Sequence, residues 1–443
     1  MNQFLRYPPA GWNSFDSFGG YLHEEAAFAQ LEAFASKLAP HGYEYFVVDI
    51  GWYGEYEFKN GSNLPSPRTK HALDIKLDEY GRPLPSVCYW PNGLQPLIDK
   101  VHELGLKFGI HMMRGIPRKA VEQKLPVLGT GISADQIADT SSTCKWCHYN
   151  YGIDMSREGA QAYYDSVVAM LAEWGVDFIK YDDITAYPEE IEAVSDAIDK
   201  CGRPMALSLS HGGESHAEFI SAYRRADMLR ITKDIWDDQD SIRRSFNAWL
   251  YWSRYAEPGF WIDLDMIPFG ELQTMSPEPE PDDLPDGVNA ELCGLGWKRK
   301  CELGLNHRRS FITQRALACS PLFHGGDLTT LSDEDLNLLV HPKMLACNRN
   351  GICGRLVYMV GDAQVWQAEN RSVRGAGWLA VFNRNPAHGH ESIRLSHTGL
   401  RLSPRTRLWD IWHERSIGTL GDKPKLTVES DAVVFIEYEG AMD

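Results

Sequence analysis

Residues Ser156–Asp182 read SREGAQAYYDSVVAMLAEWGVDFIKYD and contain the pattern of a helix followed by a buried strand. In the middle of this segment, apolar residues recur at i, i+3, i+4 and i+7, the spacing of an amphipathic helix. Ser156 fits the N-cap position, and Gly175 can take the left-handed conformation that ends a helix. The following residues, Val176–Tyr181, are β-rich and apolar, as in a strand covered on both faces. We therefore predict a helix from Ser156 to Gly175 and a strand directly after it.

The same alternation of strand and helix patterns continues in both directions along the chain. Eight strand candidates result: Ala10–Phe15, Glu44–Ile50, Lys107–Met112, Asp177–Tyr181, Pro204–Ser210, Ala226–Ile231, Gly259–Asp265 and Pro321–His324. Such alternation indicates a parallel sheet, and eight units within one domain predict a (β/α)8 TIM barrel. An open doubly wound sheet is the alternative, but no G-x-G-x-x-G motif follows the first strand.

After about Asn350 the helix patterns stop. Short β-like runs joined by turn residues remain, at Leu356–Val360, Gln364–Trp366, Gly377–Asn383, Arg405–Trp412 and Ala432–Tyr438. We therefore predict two domains, a catalytic barrel over residues 1–348 and an antiparallel β-sandwich domain over 349–443. Packing against the barrel is the expected role of the second domain.

Composition and charge restrict the function. The chain has 443 residues, 43% of them apolar, and a formal net charge of −17, so a basic surface for nucleic acid is not expected and a neutral substrate fits best. No apolar run reaches the roughly 18–20 residues of a membrane span. Met1–Tyr7 lacks the apolar core of a signal peptide, and the nine cysteines are scattered and odd in number. We expect a cytoplasmic protein with free thiols.

Carboxylates follow the ends of several predicted strands: Asp49, Asp182, Asp183, Asp234, Asp263 and Asp265. In a closed barrel these strand ends converge on one bowl. A group of acids in one bowl suits nucleophilic and acid/base chemistry on a glycosidic bond. Any single one of these residues could instead cap the following helix.

Six segments, in order along the chain, carry a family resemblance: Pro8–Phe15 (PPAGWNSF), Lys180–Asp182 (KYD), Arg230–Ile235 (RITKDI), Trp261–Met266 (WIDLDM), Ser320–Phe323 (SPLF) and Asp327–Leu328. The chain resembles glycoside hydrolase family 27, the α-galactosidase family. The resemblance implies that Asp182 is the nucleophile and Asp234 the acid/base of a retaining double displacement. Their carboxyl groups should then lie roughly 5–5.5 Å apart.

The remaining substrate-binding residues are expected from the resemblance and from strand geometry. Lys180 precedes Asp182 by two residues, so strand alternation points both side chains into the bowl. Lys180 would donate to a sugar hydroxyl and keep Asp182 ionised. The expected substrate-binding set is Phe15, Asp49, Trp52, His111, Lys180, His211, Arg230 and Asp265. Arg230 would bind near the 2-hydroxyl, and no cofactor is implied.

Departures from the family pattern concern the substrate. The family has two adjacent acids on the second strand, which read the 4- and 6-hydroxyls, but here Asp49 is followed by Ile50. A fifth-strand Glu is replaced in Ser208–His211, Ile184 stands where the family has a cysteine, and the loop Arg114–Asn150 is long. These changes place the chain in a divergent bacterial branch. Galactosides are the first choice, with β-L-arabinopyranosides and the α-glucans of isomaltodextranases as alternatives.

Other signals are weaker. Cys144–His148 has the C-x-x-C-H pattern of c-type haem proteins, but no export signal accompanies it. The preferred interpretation is a pair of thiols in a loop that brings Trp146 to the substrate. His211–His216 lacks the spacing of a helical metal motif. The Pro-rich segment Ser276–Asp286 is interpreted as a solvated loop. A non-catalytic carbohydrate-binding barrel is the alternative outside the enzymes, and the sequence leaves a homo-oligomer open.

Overall fold

A computed structural model describes residues 5–56, 72, 74–211, 214–275, 298–385 and 389–440. It contains eight parallel strands that form a barrel: β1 (Ala10–Asn13), β2 (Tyr45–Val48), β3 (Lys107–Met113), β4 (Phe178–Asp182), β5 (Ala206–Leu209), β6 (Met228–Arg230), β7 (Trp261–Asp263) and β8 (Leu322–His324). The predicted barrel is confirmed, with strand ends shifted by no more than two residues.

The strands follow one another around the barrel in chain order. The sheet order is β7-β6-β5-β4-β3-β2-β1-β8, and every pairing within it is parallel. Beyond β7, Ile267 forms a single parallel bridge with His324 of β8. Ile267 N donates to Phe323 O at 2.8 Å, and Gly325 N donates to Ile267 O at 3.0 Å. This bridge closes the barrel between β7 and β8, the two edge strands of the sheet.

Helices surround the barrel: α1 (Glu24–Lys37), α2 (Gln95–Glu103), α3 (Ala160–Trp174), α4 (Pro188–Lys200), α5 (Ile220–Tyr223), α6 (Gln239–Trp252), α7 (Leu305–Ala318), α8 (Asp333–Val340) and α9 (Pro342–Arg349). The predicted start of α3 at Ser156 is wrong, because Ser156 Oγ donates to Asp154 Oδ1 at 2.6 Å and the N-cap is Gly159. Its end at Gly175 is confirmed, with φ 91°. None of the helices in the described part of the chain combines the length and apolar character of a membrane span.

The segment between β3 and α3, which was predicted to be a long loop, contains regular secondary structure. It contains a three-stranded antiparallel sheet of Ile116–Pro117, Ala138–Thr143 and Asn150–Ile153. Two short helices, Arg118–Glu122 and Ala134–Ile137, accompany it. The predicted loop Ser276–Asp286 lies outside the described residues.

The C-terminal part is an antiparallel β-sandwich, as predicted. Its strands are β9 (Arg355–Val360), β10 (Ala363–Glu369), β11 (Ala376–Asn383), β12 (Glu391–Arg394), β13 (Arg407–Asp410), β14 (Arg415–Thr419), β15 (Lys425–Val428) and β16 (Val433–Glu439). Six of them form one sheet in the order β9-β10-β11-β16-β13-β14, and β12 pairs with β15. Strands β12, β14 and β15 were not predicted from the sequence, because they are short, with charged residues at their ends or along one face.

One face of the six-stranded sheet packs on the barrel. Trp249 of α6 stacks on Trp366 of β10 with ring centroids 3.5 Å apart, and Phe246 meets Phe382 at 4.9 Å. Trp412 Nε1 donates to Thr313 Oγ1 of α7 at 2.8 Å. The barrel core therefore continues into this face, and the other face forms a separate core with β12 and β15.

Candidate active site

A cavity of about 370 Å³ opens where the barrel strands end, within the size range of small-molecule sites. Eight of the ten predicted site residues line it: Phe15, Asp49, Lys180, Asp182, His211, Arg230, Asp234 and Asp265. The strands bring them together because β2, β4, β6 and β7 end on the same rim of the barrel. The other two, Trp52 and His111, lie behind the wall.

Asp182 is the last residue of β4 and only 7% exposed. His111 Nε2 lies 3.3 Å from its Oδ2 and donates to it in the tautomer protonated at that nitrogen. Burial alone would raise the pKa of Asp182, but the hydrogen bond from His111 and the charges of Lys180 and Arg230 outweigh it and hold the pKa well below its usual value. Asp182 is therefore a carboxylate across the physiological pH range.

Asp49 and Lys180 form a buried ion pair at one side of the cavity. Lys180 Nζ donates to Asp49 Oδ2 at 2.8 Å, and Asn13 Nδ2 donates to the same oxygen at 2.7 Å. Burial would raise the pKa of Asp49, but the charge of Lys180 leads the opposing effects and the pKa is lowered. The pair presents a fixed ammonium and carboxylate to a polar ligand.

Arg230 connects two further carboxylates. Its Nη2 donates to Asp234 Oδ1 at 2.7 Å, and its Nη1 lies 3.5 Å from Asp265 Oδ1. Ile235 N donates to Asp265 Oδ2 at 2.8 Å. The Asp234 side chain is 45% exposed and faces the open part of the cavity, whereas Asp265 is buried. Asp265 is thus shielded from solvent, whereas Asp234 is accessible to it.

His211 is a neutral imidazole. Burial, aided by the charge of Arg230, lowers its pKa to about 4. Its Nε2 donates to the carbonyl oxygen of Thr232, and its Nδ1 has no hydrogen-bond partner in the described part of the chain. Nδ1 is therefore a buried acceptor without a hydrogen-bond partner among the described residues.

Trp52 and His111 support the wall rather than line it. Trp52 Nε1 donates to the backbone oxygen of His111 at 2.9 Å, and both side chains are almost completely buried. His111 reaches the site through its contact with Asp182. Trp52 therefore acts on the cavity through the position of β3.

Several residues that line the cavity were not predicted from the sequence. They are Asp16 in the short helix Phe15–Phe18, Lys233, Ile235, Trp236, Asp238 and Met266 in segments that follow strands, and Ser241 and Arg244 on α6. Burial and the charge of Asp265 raise the pKa of Asp16 well above its usual value. Trp146, for which the sequence suggested a contact with the substrate, does line the cavity. Proximity to Asp234 in the sequence could have indicated Lys233 and Trp236.

A buried ion-pair network holds the segment after β3 against the strand of Asp182. Arg114 Nη1 donates to Glu190 Oε1 at 2.7 Å, and Arg114 Nη2 donates to Asp183 Oδ2 at 3.1 Å. Asn150 Nδ2 donates to Arg114 O at 2.9 Å. Arg114 N donates to Asp182 O at 3.0 Å, so the network is joined directly to the candidate nucleophile's backbone.

No group of three or more residues suited to hold a metal ion occurs among the described residues, which exclude Gly212 and Gly213 beside His211. Cys144 and Cys147 are both buried free thiols. Burial raises the pKa of Cys147 to about 12. Both sulfurs are therefore protonated thiols at neutral pH.

The chain has similar proteins among both known sequences and solved structures. No model of a protein family matches the chain. A family 27 β-L-arabinopyranosidase from Geobacillus stearothermophilus is 35% identical with a TM-score of 0.86, over 99% of this chain and 98% of that one. A putative α-N-acetylgalactosaminidase from Bacillus halodurans is 33% identical with a TM-score of 0.80, over 98% and 97%. An α-galactosidase from Cyamopsis tetragonoloba is 23% identical over 96% of this chain and 84% of its own length. The chain therefore belongs to glycoside hydrolase family 27 and is a glycosidase.

Proposed function

We propose that the protein is a retaining exo-glycosidase with Asp182 as nucleophile and Asp234 as acid/base. The observation that carries the proposal is the contrast between these two acids in one cavity. Asp182 is buried and kept ionised by its cationic and hydrogen-bonding neighbours, as a nucleophile requires. Asp234 is accessible on the open side, where a leaving group and water can reach it.

The reaction proceeds in two steps. In the first, a carboxylate oxygen of Asp182 bonds to the anomeric carbon while the bond from that carbon to the leaving oxygen breaks. Asp234 gives its proton to the leaving oxygen. In the second, Asp234 takes a proton from water, the water oxygen bonds to the anomeric carbon, and the bond to Asp182 breaks. Two inversions give net retention.

The remaining predicted residues bind and orient the sugar in this proposal. The ammonium of Lys180 and the carboxylate of Asp49 bind ring hydroxyls, and Arg230 orients Asp234 while it binds near the 2-position. His211 lines the cavity and contributes to sugar binding, and Asp265 holds Arg230. Phe15 supplies an apolar face, and Trp52 and His111 fix the wall behind Asp182.

The substrate class that fits is a terminal sugar of α-galactoside-like configuration. The names of the relatives, which include an α-galactosidase and a β-L-arabinopyranosidase, support this choice. One observation favours β-L-arabinopyranosides as the second candidate. Ile50 lines the cavity where the family carries one of the two acids that read the 4- and 6-hydroxyls, and β-L-arabinopyranose lacks the 6-carbon.

A chromogenic panel tests the proposal: aryl α-D-galactoside, α-D-N-acetylgalactosaminide, β-L-arabinopyranoside and α-D-glucoside. We expect one of the first three to be cleaved and Asp182→Asn to lose roughly 10⁴-fold in kcat, because the covalent route is removed. Asp227→Asn is the matched control, since Asp227 is a buried aspartate outside the cavity lining and this variant should keep its activity.

Two further readouts examine the mechanism. A mechanism-based 2-fluoro sugar should add its mass to the peptide that contains Asp182, and NMR should show the first-released sugar with retained anomeric configuration. Inversion would contradict the proposed mechanism. Binding without hydrolysis across the panel would favour the non-catalytic barrel instead.

We further infer that the protein works in a reducing, cytoplasmic compartment of a bacterium. The support is that the eight described cysteines are free thiols and that two of the similar structures come from bacteria. We predict that the protein binds neither nucleic acid nor a membrane, and the sequence leaves the formation of a homo-oligomer open.

A further inference from the structure

Two cationic side chains flank Asp234 at the mouth of the cavity. Lys233 directly precedes it, and Arg244 of α6 approaches it, with Nη2 3.4 Å from the backbone oxygen of Asp234. Both are exposed and both line the cavity. Because Asp234 would protonate the leaving oxygen, the groups around it surround the leaving group rather than the sugar that is bound covalently.

The positive charge here is only partly compensated. Three carboxylates lie nearby, and each already has a hydrogen-bond partner: Asp234 with Arg230 at 2.7 Å, Asp237 with Arg299 at 2.6 Å and Asp238 with Ser241 N at 2.7 Å. Lys233 and Arg244 form no ion pair within the described part of the chain. In a protein of net charge −17, two cations without an ion pair beside the accessible acids Asp234 and Asp238 are a local exception.

Aromatic side chains accompany these cations. Trp146 reaches the cavity from the segment after β3, and Trp236 follows Asp234 by two residues. The Trp236 ring packs beside Phe15, with centroids 6.3 Å apart, and the guanidinium of Arg299 lies 5.4 Å from its centroid. The outer cavity thus offers apolar faces to a ring and two cations to a substituent on that ring.

We propose that Lys233 and Arg244 select glycosides whose leaving group is a ring carrying a negatively charged substituent, a carboxylate or a phosphate. This selectivity rests on the proposed function, since it requires that the leaving group lies beside Asp234. It also refines the expectation of a neutral substrate, because the overall charge of a protein does not determine the field at one site.

Paired substrates isolate the effect of charge. The glycone that the panel identifies is attached to 2-nitrophenol and to the same phenol carrying a carboxylate at position 5. We measure kcat/KM for both and form the carboxylated-to-plain ratio in wild type and in Lys233→Met/Arg244→Met. Comparison of the two ratios cancels the difference in chemical reactivity between the phenols, and any general loss of activity in the variant.

In wild type at low ionic strength the ratio should exceed that of the double variant roughly tenfold, a few-fold for each screened ion pair. The excess should shrink in about 0.5 M NaCl, because salt screens exposed charges. Lys200→Met/Arg243→Met is the control, since it removes the same charge from exposed residues paired with Asp165 and Asp240. It should keep the wild-type ratio.

A second arm distinguishes the two anions. Glucuronate and glucose 6-phosphate should inhibit wild type more strongly than glucose, and the stronger of the two identifies the preferred substituent. All three should inhibit Lys233→Met/Arg244→Met about equally.

Equal ratios in wild type and the double variant would overturn the inference while leaving the glycosidase intact. If no substrate is hydrolysed, the affinities of the same two glycosides for the wild type and the double variant, measured by calorimetry, still test the inference. Stronger binding of the carboxylated glycoside that depends on Lys233 and Arg244 supports the inference, and equal binding overturns it.

Discussion

At the scale of single residues, the charge of Lys180 has a direct effect on the candidate nucleophile. Lys180 and Asp182 lie on the same inward face of β4, and the ammonium is among the groups that hold the pKa of Asp182 low. A carboxyl whose pKa is depressed stays ionised until the pH falls well below the usual value. In wild type, protonation of Asp182 therefore does not limit activity near neutral pH.

Replacement of Lys180 by Met should move the acidic limb of the pH profile upward. Without the ammonium, burial raises the pKa of Asp182 with less opposition, so the nucleophile is protonated at a higher pH as the solution is acidified. The profile of kcat/KM should show an acidic midpoint roughly 1 pH unit or more above wild type. An unchanged midpoint with only a lower plateau would mean that Lys180 binds substrate without affecting Asp182.

Ile50→Asp should change the choice of sugar. A carboxylate at this position restores the pair of adjacent acids with which the family reads the 4- and 6-hydroxyls, and a site built to hydrogen-bond a hydroxyl discriminates strongly for it. The ratio of kcat/KM for α-D-galactoside over β-L-arabinopyranoside should rise about tenfold or more. Ile50→Leu keeps an apolar side chain and should leave the ratio close to wild type. A galactoside preference already present in wild type and insensitive to Ile50→Asp would argue against this specificity role.

At the scale of secondary-structure elements, the segment between β3 and α3 depends on one buried arginine. Arg114 pairs with Asp183 and Glu190, and the Tyr164 hydroxyl donates to the other oxygen of Glu190. The guanidinium of Arg114 also lies 3.5 Å from the centroid of the Tyr187 ring. The segment that carries Trp146 is thus joined to the strand that carries Asp182.

Arg114→Met should destabilise the fold by about 3–5 kcal/mol, because it leaves a buried carboxylate at Glu190 without its cationic partner. Calorimetry should show a lower Tm, with a fall in kcat if Asp182 moves with the network. Arg114→Met/Glu190→Gln should recover part of the loss, since the orphaned charge is removed as well. Equal Tm values for wild type and Arg114→Met would show that the network contributes no stability.

The sequence was informative about elements with a local period and less so about what lies between them. Each barrel strand and most helices carry their own apolar pattern, and closure of the barrel then brings Asp49, Asp182 and Asp265 together without further information. Trp236 and Arg244 were missed because their place in the cavity depends on how the connection after β6 turns. Backbone conformation was equally unpredictable: Asp265 adopts φ 74°, which few non-glycine residues do.

At the scale of the whole molecule, the barrel and the β-sandwich share a core. The Trp249 and Trp366 rings stack across the junction, and Trp412 is hydrogen-bonded to α7. The domain boundary between residues 348 and 349 remains a proposal. In the structure, α9 ends at Arg349 and β9 begins at Arg355. We expect that the barrel and the β-sandwich are not independently stable units.

A chain of residues 1–348 should accordingly fail to fold, because removal of the sandwich exposes Phe246 and Trp249 to water. Expression should give insoluble protein, and the full chain should unfold in one calorimetric transition. Within the full chain, Trp366→Ala should cost about 3–5 kcal/mol. Trp409→Ala, at a 37% exposed position of the same domain, should cost much less. A soluble, active 1–348 fragment would show that the barrel is independent.

The single bridge between Ile267 and His324 makes the ring of strands uneven. Other neighbouring strands share two to five registered pairs, whereas this junction depends on two hydrogen bonds around one residue. Transient opening of the barrel should start at this seam, so the amide protons of Ile267 and Gly325 should exchange with deuterium before those of β3 and β4. A bound sugar that contacts Asp265, two residues from the seam, would slow that exchange. The exchange rate of the Ile267 and Gly325 amides would then measure whether the site is occupied.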